Sequence, residues 1–244
     1  MAQKQVREMT PTPFLIISLV GLFLLALIAF YPPMVIGNFG WRKPLVGSIL
    51  GIECFLGVLA AIYPKRCSRV FGAKSEKLEI SLKHNLKKRK LSIRGHHPDC
   101  GNYYAHVFQI GGKYFCAGCT GLVLGAVVTL VGTILYFFGD LSCESNHFIF
   151  LSGCVGISLG LLQFHIFDFQ MSFMRLLMNA FFVIGTFLAL MGIDGIAQNT
   201  FVDLFLIGLS FFWIYTRIIL SNWNHRKICL SCDMDSCEYK RARR

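Results

Sequence analysis

Six stretches of the chain, 13–31, 44–63, 117–138, 147–164, 173–191 and 201–220, run almost without a charged side chain. A segment of about 18 or more apolar residues can cross the roughly 30 Å hydrocarbon layer of a membrane. A soluble domain would interrupt such runs with a polar face. At 55% hydrophobic and 15% charged residues the chain is too apolar for that class. The expected fold is an all-α polytopic membrane protein with about six transmembrane helices and a small cytoplasmic Cys/His-rich metal module containing a short β-hairpin. The first stretch runs into YPPMV, where a cleaved leader would show a small-residue site, so it reads as a retained helix.

Positive charge sets orientation, because Lys and Arg near helix ends are kept on the cytoplasmic side. Lys4 and Arg7 precede the first stretch. Residues 64–115 hold twelve Lys and Arg, and Arg226, Lys227, Lys240, Arg241, Arg243 and Arg244 follow the last stretch. GDLSCESN and GIDGIAQNT, on the other side, hold none, and only Arg42 and Lys43 oppose the trend. The expected location is the cell membrane, with both termini cytoplasmic. The net charge of +11 then reflects topology and attraction to anionic lipid headgroups, and no nucleic-acid partner is needed. Four regions follow: residues 1–63 with the first two helices, a basic connection at 64–115, helices three to six at 116–220, and a Cys-rich basic tail at 221–244.

The connection has two compositions. SEKLEISLKHNLKKRK spaces Leu78, Leu82 and Leu86 at helical intervals among basic residues, which suits a helix lying on a membrane surface or a solvated basic helix. HVFQIGGKYF reads as two short strands joined at Gly-Gly. So small a piece has little core and calls for a staple. Within the helices, Gly47/Gly51, Gly121/Gly125 and Gly156/Gly160 form G-x-x-x-G pairs, read as close helix packing.

The staple is the cysteines, of which there are ten. Cys54 and Cys154 lie within helices as small packing residues, and Cys67 and Cys143 stand alone. The other six form two groups, Cys100, Cys116 and Cys119 before helix three, and Cys229, Cys232 and Cys237 after helix six. Cytoplasmic thiols stay reduced, so paired Cys-x-x-Cys units point to metal more than to disulfides. Zinc takes four tetrahedral Cys and His ligands, and each Cys-x-x-Cys supplies half of such a set.

Two arrangements satisfy that count. Each group may be complete in itself, with His96 or His97 joining Cys100, Cys116 and Cys119, and His225 joining Cys229, Cys232 and Cys237. Alternatively Cys116, Cys119, Cys229 and Cys232 make one site that ties the tail to helix three, leaving Cys100 and Cys237 for a second centre. An iron–sulfur cluster is the alternative cofactor. Thr120 stands where a c-type haem motif needs His. No βαβ pattern surrounds either pair as a thioredoxin-like dithiol would require. Gly118 and Gly121 flank Cys119, which suits a tight metal-binding turn at a helix start, where the helix end also favours thiolate.

FCAGCTGLVLGA resembles the Cys-x-x-Cys-Thr-Gly signature of a family of small prokaryotic multi-pass membrane proteins of unknown function. The likeness covers residues 95–125. HHPDC stands in place of that family's Cys-His order, and Gly118 where it commonly has Arg. The resemblance implies a Cys-x-x-Cys pair ahead of a glycine-containing membrane helix and implies no activity.

Glu53, near the middle of the second apolar stretch, is an intramembrane carboxylate, a functional candidate by its position. It has no basic residue at the same depth, and a structural hydrogen-bonded role competes with one in proton or substrate handling. His165 and Asp168 lie one helical turn apart at the end of the fourth stretch, as an interfacial pair or an addition to the metal site. Arg175 and Arg217 are placed to reach headgroups. Three functions follow. The first is a metal-binding membrane protein, with zinc as the expected metal, that organises its helices or recruits a protein partner or a second copy of itself. The second is a membrane redox protein or enzyme, and the third a small transporter using Glu53. No phosphate-binding loop, Ser nucleophile motif or HExxH occurs.

Overall fold

The structure, a computed structural model, describes residues 11–33, 40–62, 93–94, 103, 106–111, 113–139, 144–164 and 171–230. Among these, six helices form: α1 (Thr12–Phe30), α2 (Arg42–Ile62), α3 (Ala117–Thr133), α4 (Asn146–Leu162), α5 (Ser172–Ala197) and α6 (Thr200–Leu230). A π-helical turn, Ile134–Phe138, continues α3. The expected surface helix around Leu78, Leu82 and Leu86, with Cys67 and Cys143, lies outside the described residues.

Five of the helices are long and apolar enough to cross a membrane: α1, α2, α3 with its π turn, α5 and α6. The sixth expected span is shorter. α4 has 17 residues, about 26 Å of helix at 1.5 Å per residue, less than the roughly 30 Å layer. α6 errs the other way and continues past 220 to Leu230, because adding residues to a helix already formed costs little even through the polar sequence SNWNHRK. The outer surface suits lipid, with Phe23, Phe148 and Phe201 at 63%, 73% and 77% exposure.

α5 packs against α3 and α4, α2 against α3, and α1 against α6. Lipid tails are as apolar as leucine, so these contacts depend on close backbone approach. The glycine pairs supply it. A Cβ on Gly125 would come within 2.8 Å of the Ala180 carbonyl oxygen, and one on Gly156 within 2.8 Å of that of Phe181. Gly47 meets Phe137 in the same way, whereas a Cβ at Gly51 would have nothing within 4 Å. Gly153, Gly185 and Gly192, outside any G-x-x-x-G pair, carry much of the α4–α5 contact.

The hairpin forms as expected: β2 (Val107–Ile110) and β3 (Lys113–Cys116) pair antiparallel with Phe108 opposite Phe115, and Gly111 takes φ +55° in the turn. β1 (Ile93–Arg94) pairs parallel to the other edge of β3, giving the order β1-β3-β2. β3 leads directly into α3.

The end of the bundle at the α5–α6 turn is pinned by charge. Arg42 Nη1 donates to Asp194 Oδ1 at 2.5 Å and to Asp203 Oδ2 at 2.7 Å, and Tyr136 Oη donates to Asp194 Oδ2 at 2.8 Å. Lys43 Nζ lies 4.7 Å from the centre of the Tyr136 ring. The π turn directs both Tyr136 and Phe137 inward. Asn199 caps α6, its Oδ1 accepting from the Phe201 amide at 2.9 Å. Arg42 and Lys43, the two residues at odds with the charge pattern, are therefore bound to the protein's own carboxylates and aromatic ring.

Candidate functional site at one end of the bundle

The opposite end holds a cavity of about 60 Å³ lined by the first turns of α3 and α5, the end of α4, and α6. A water needs roughly 10–15 Å³ of such volume, so the space admits a small ion with its ligands.

Cys116 is the last residue of β3 and the N-cap of α3, and Cys119 lies in the first helical turn. The pair thus spans a strand-to-helix junction; the tight turn expected around Gly118 and Gly121 is instead helix. Gly121 is where α3 meets the Leu176 carbonyl of α5. Thr120 Oγ1 donates to the Cys116 carbonyl at 2.9 Å, fixing the junction. The two thiols are neighbours, and Arg217 lies near both. Cys54, Cys116, Cys119 and Cys154 are not in disulfides.

His225 comes to this cavity because α6 outlasts its apolar stretch. It is buried and its ring packs edge-on to His106 and Tyr103, with ring centres 5.6 Å and 5.7 Å away. Tyr103 Oη donates to the His225 carbonyl at 3.2 Å. The segment before the hairpin and the far end of α6 are thereby joined.

The remaining wall is polar. Arg217 donates through Nη2 to Asn179 Oδ1. Asn179 Nδ2 donates to the Arg175 carbonyl at 2.5 Å, and Gln163 Nε2 donates to the Gly160 carbonyl at 2.7 Å. Arg217, expected to reach headgroups, instead turns inward between Phe164 and Phe182. An isolated guanidinium in apolar surroundings is costly, and the Asn179 acceptor and aromatic faces offset that cost.

Of the residues singled out from sequence, Cys116, Cys119 and His225 meet at this cavity. Cys229 lies on α6, with its side chain outside the described residues. His96, His97, Cys100, Cys232, Cys237, His165 and Asp168 also lie outside them. Glu53 does not line the cavity. It is buried against α6, where Ser210 Oγ lies 2.8 Å from each carboxylate oxygen and 2.6 Å from the Ile207 carbonyl. Sequence reasoning missed His106, Asn179 and Gln163, lone polar residues whose convergence no local spacing announces.

The thiol pair supplies two soft donors suited to zinc. Among the described residues, however, no three His, Cys, Asp or Glu side chains form a group that could hold a metal ion. The arrangement defines a helical bundle with five helices long and apolar enough to cross a membrane, and a cavity at one end lined by two thiols, Arg175 and Arg217. No protein family, curated protein or solved structure matches the chain.

Proposed function

We propose that the protein is a multi-pass membrane protein whose cytoplasmic end binds a metal ion, zinc first, in a structural or partner-recruiting role. The observation that carries this reading is the Cys116–Cys119 pair facing a cavity that α6, about a hundred residues further along the chain, also lines. Cys116 and Cys119 would be two ligands. The histidines and cysteines of the 96–100 and 229–237 segments, whose side chains lie outside the described residues, are the donors available to complete the set. Bound metal would lock α3 to α6 and give a marginal hairpin the staple it lacks. The basic residues flanking this end support a cytoplasmic placement of both termini.

A second reading is favoured by the strand-to-helix junction. The two thiols are adjacent and not in a disulfide, so Cys116 and Cys119 could exchange with a disulfide-bearing partner. The partner disulfide would be reduced to two thiols as the Cys116–Cys119 bond forms. The resemblance to the Cys-x-x-Cys-Thr-Gly family is compatible with either reading.

Metal per chain, measured on detergent-purified protein prepared anaerobically, decides between them. One or two zinc ions per chain, lost in Cys116→Ser/Cys119→Ser, are expected. Iron with visible charge-transfer bands would move the site to redox chemistry. Metal-free protein with two rapidly titrating thiols would replace the metal reading with thiol exchange.

A further inference from the structure

We propose that the wall of this cavity facing the thiols binds a phosphate group, gripped by the Arg217 guanidinium. Arg217 is already oriented: its Nη2 donates to Asn179, and the rings of Phe164 and Phe182 lie 6.0 Å and 5.9 Å from its central carbon. Its Nε is buried and has no hydrogen-bond partner among the described residues. A desolvated donor on a charged group is costly to leave unmatched, and a planar guanidinium presents a two-pronged fork that fits phosphate oxygens.

The surroundings have the matching sign. Arg175 shares the lining with Arg217, and among the described residues no Asp or Glu lines the cavity. α3 and α5 both begin here, at Ala117 and Ser172, so two helix N-termini add partial positive charge. The volume of about 60 Å³ accommodates one tetrahedral oxyanion. Three helices begin or end beside this cavity, and the phosphate belongs either to a lipid headgroup or to a ligand free in solution. The inference shares this cavity with the metal reading but needs no metal.

The test is the thermal unfolding midpoint of the full chain in uncharged detergent at low salt with EDTA present. Inorganic phosphate is compared with chloride at equal ionic strength, and phosphatidic acid in mixed micelles with diacylglycerol. A rise with inorganic phosphate identifies a soluble ligand; a rise with phosphatidic acid alone identifies a headgroup. Arg217→Gln is expected to weaken the response about ten-fold or more. If that variant fails to fold, Ser221→Glu, which puts a carboxylate into the cavity and leaves Arg217 in place, should show the same loss. No rise with either phosphate source would overturn the proposal, as would equal responses in wild type and Ser221→Glu. So would a rise that needs added zinc and disappears in Cys116→Ser/Cys119→Ser, because the anion would then be held by the metal.

Discussion

Replacing Arg42 with Met should be among the most damaging single changes in this protein, although the residue follows a loop and begins a helix. Arg42 is 4% exposed, and its two partners, Asp194 and Asp203, are 1% and 0% exposed. Removing the guanidinium leaves two carboxylates buried without a cation between them. Breaking a buried pair in this way costs about 3–5 kcal/mol, roughly two to three and a half orders of magnitude in the folded-to-unfolded ratio. Lys43 is held over the Tyr136 ring.

The neutral triple variant Arg42→Met/Asp194→Asn/Asp203→Asn should recover most of that loss, because no charge remains to be compensated and Asn at 194 can still accept from Tyr136. The assay is unfolding by sodium dodecyl sulfate in mixed micelles, with the cycle of single and combined variants measured side by side. A loss below about 1 kcal/mol for Arg42→Met, the range of an exposed pair, would refute the reasoning. So would a triple variant as unstable as the single one.

Two further contrasts test the packing. Gly156→Val should lower stability by about 1–3 kcal/mol by forcing α4 away from the Phe181 carbonyl, while Gly51→Ala, facing open space, should be neutral or gain up to about 1 kcal/mol in helix propensity; unfolding titrations of both variants check this. Ser210→Ala strips both contacts from the Glu53 carboxyl and should cost about 1–3 kcal/mol. Glu53→Gln keeps an acceptor and a donor toward Ser210 and should stay within about 1 kcal/mol of wild type. Loss of function in a stably folded Glu53→Gln protein would restore a proton-handling role for Glu53.

The helices were legible because hydropathy is local: each apolar run announces itself, and so does the Gly-Gly turn between Phe108 and Phe115. Their ends were less so. Hydropathy places the last span at 201–220, yet α6 continues to Leu230, since a helix already nucleated extends through polar residues at little cost. That continuation brings His225 to the cavity that Cys116 and Cys119 line. The site was half legible for the same reason. Cys-x-x-Cys is a pattern within four residues, whereas Arg217, Asn179, Gln163 and His106 come from four separate parts of the chain and have no spacing in common.

By itself, then, the sequence determined the class of protein, the positions of most helices, the hairpin and the thiol pair. These depend on the free energy of moving residues out of water and on the chemistry of neighbours along the chain. Only the tertiary structure decided which polar groups meet. Arg42 read as an exception to a charge rule until α5 and α6 brought Asp194 and Asp203 around it, and Glu53 had no partner until Ser210 faced it from α6. A buried polar group must find its match wherever the fold supplies one. That match is set by distance in space, which the order of residues does not state.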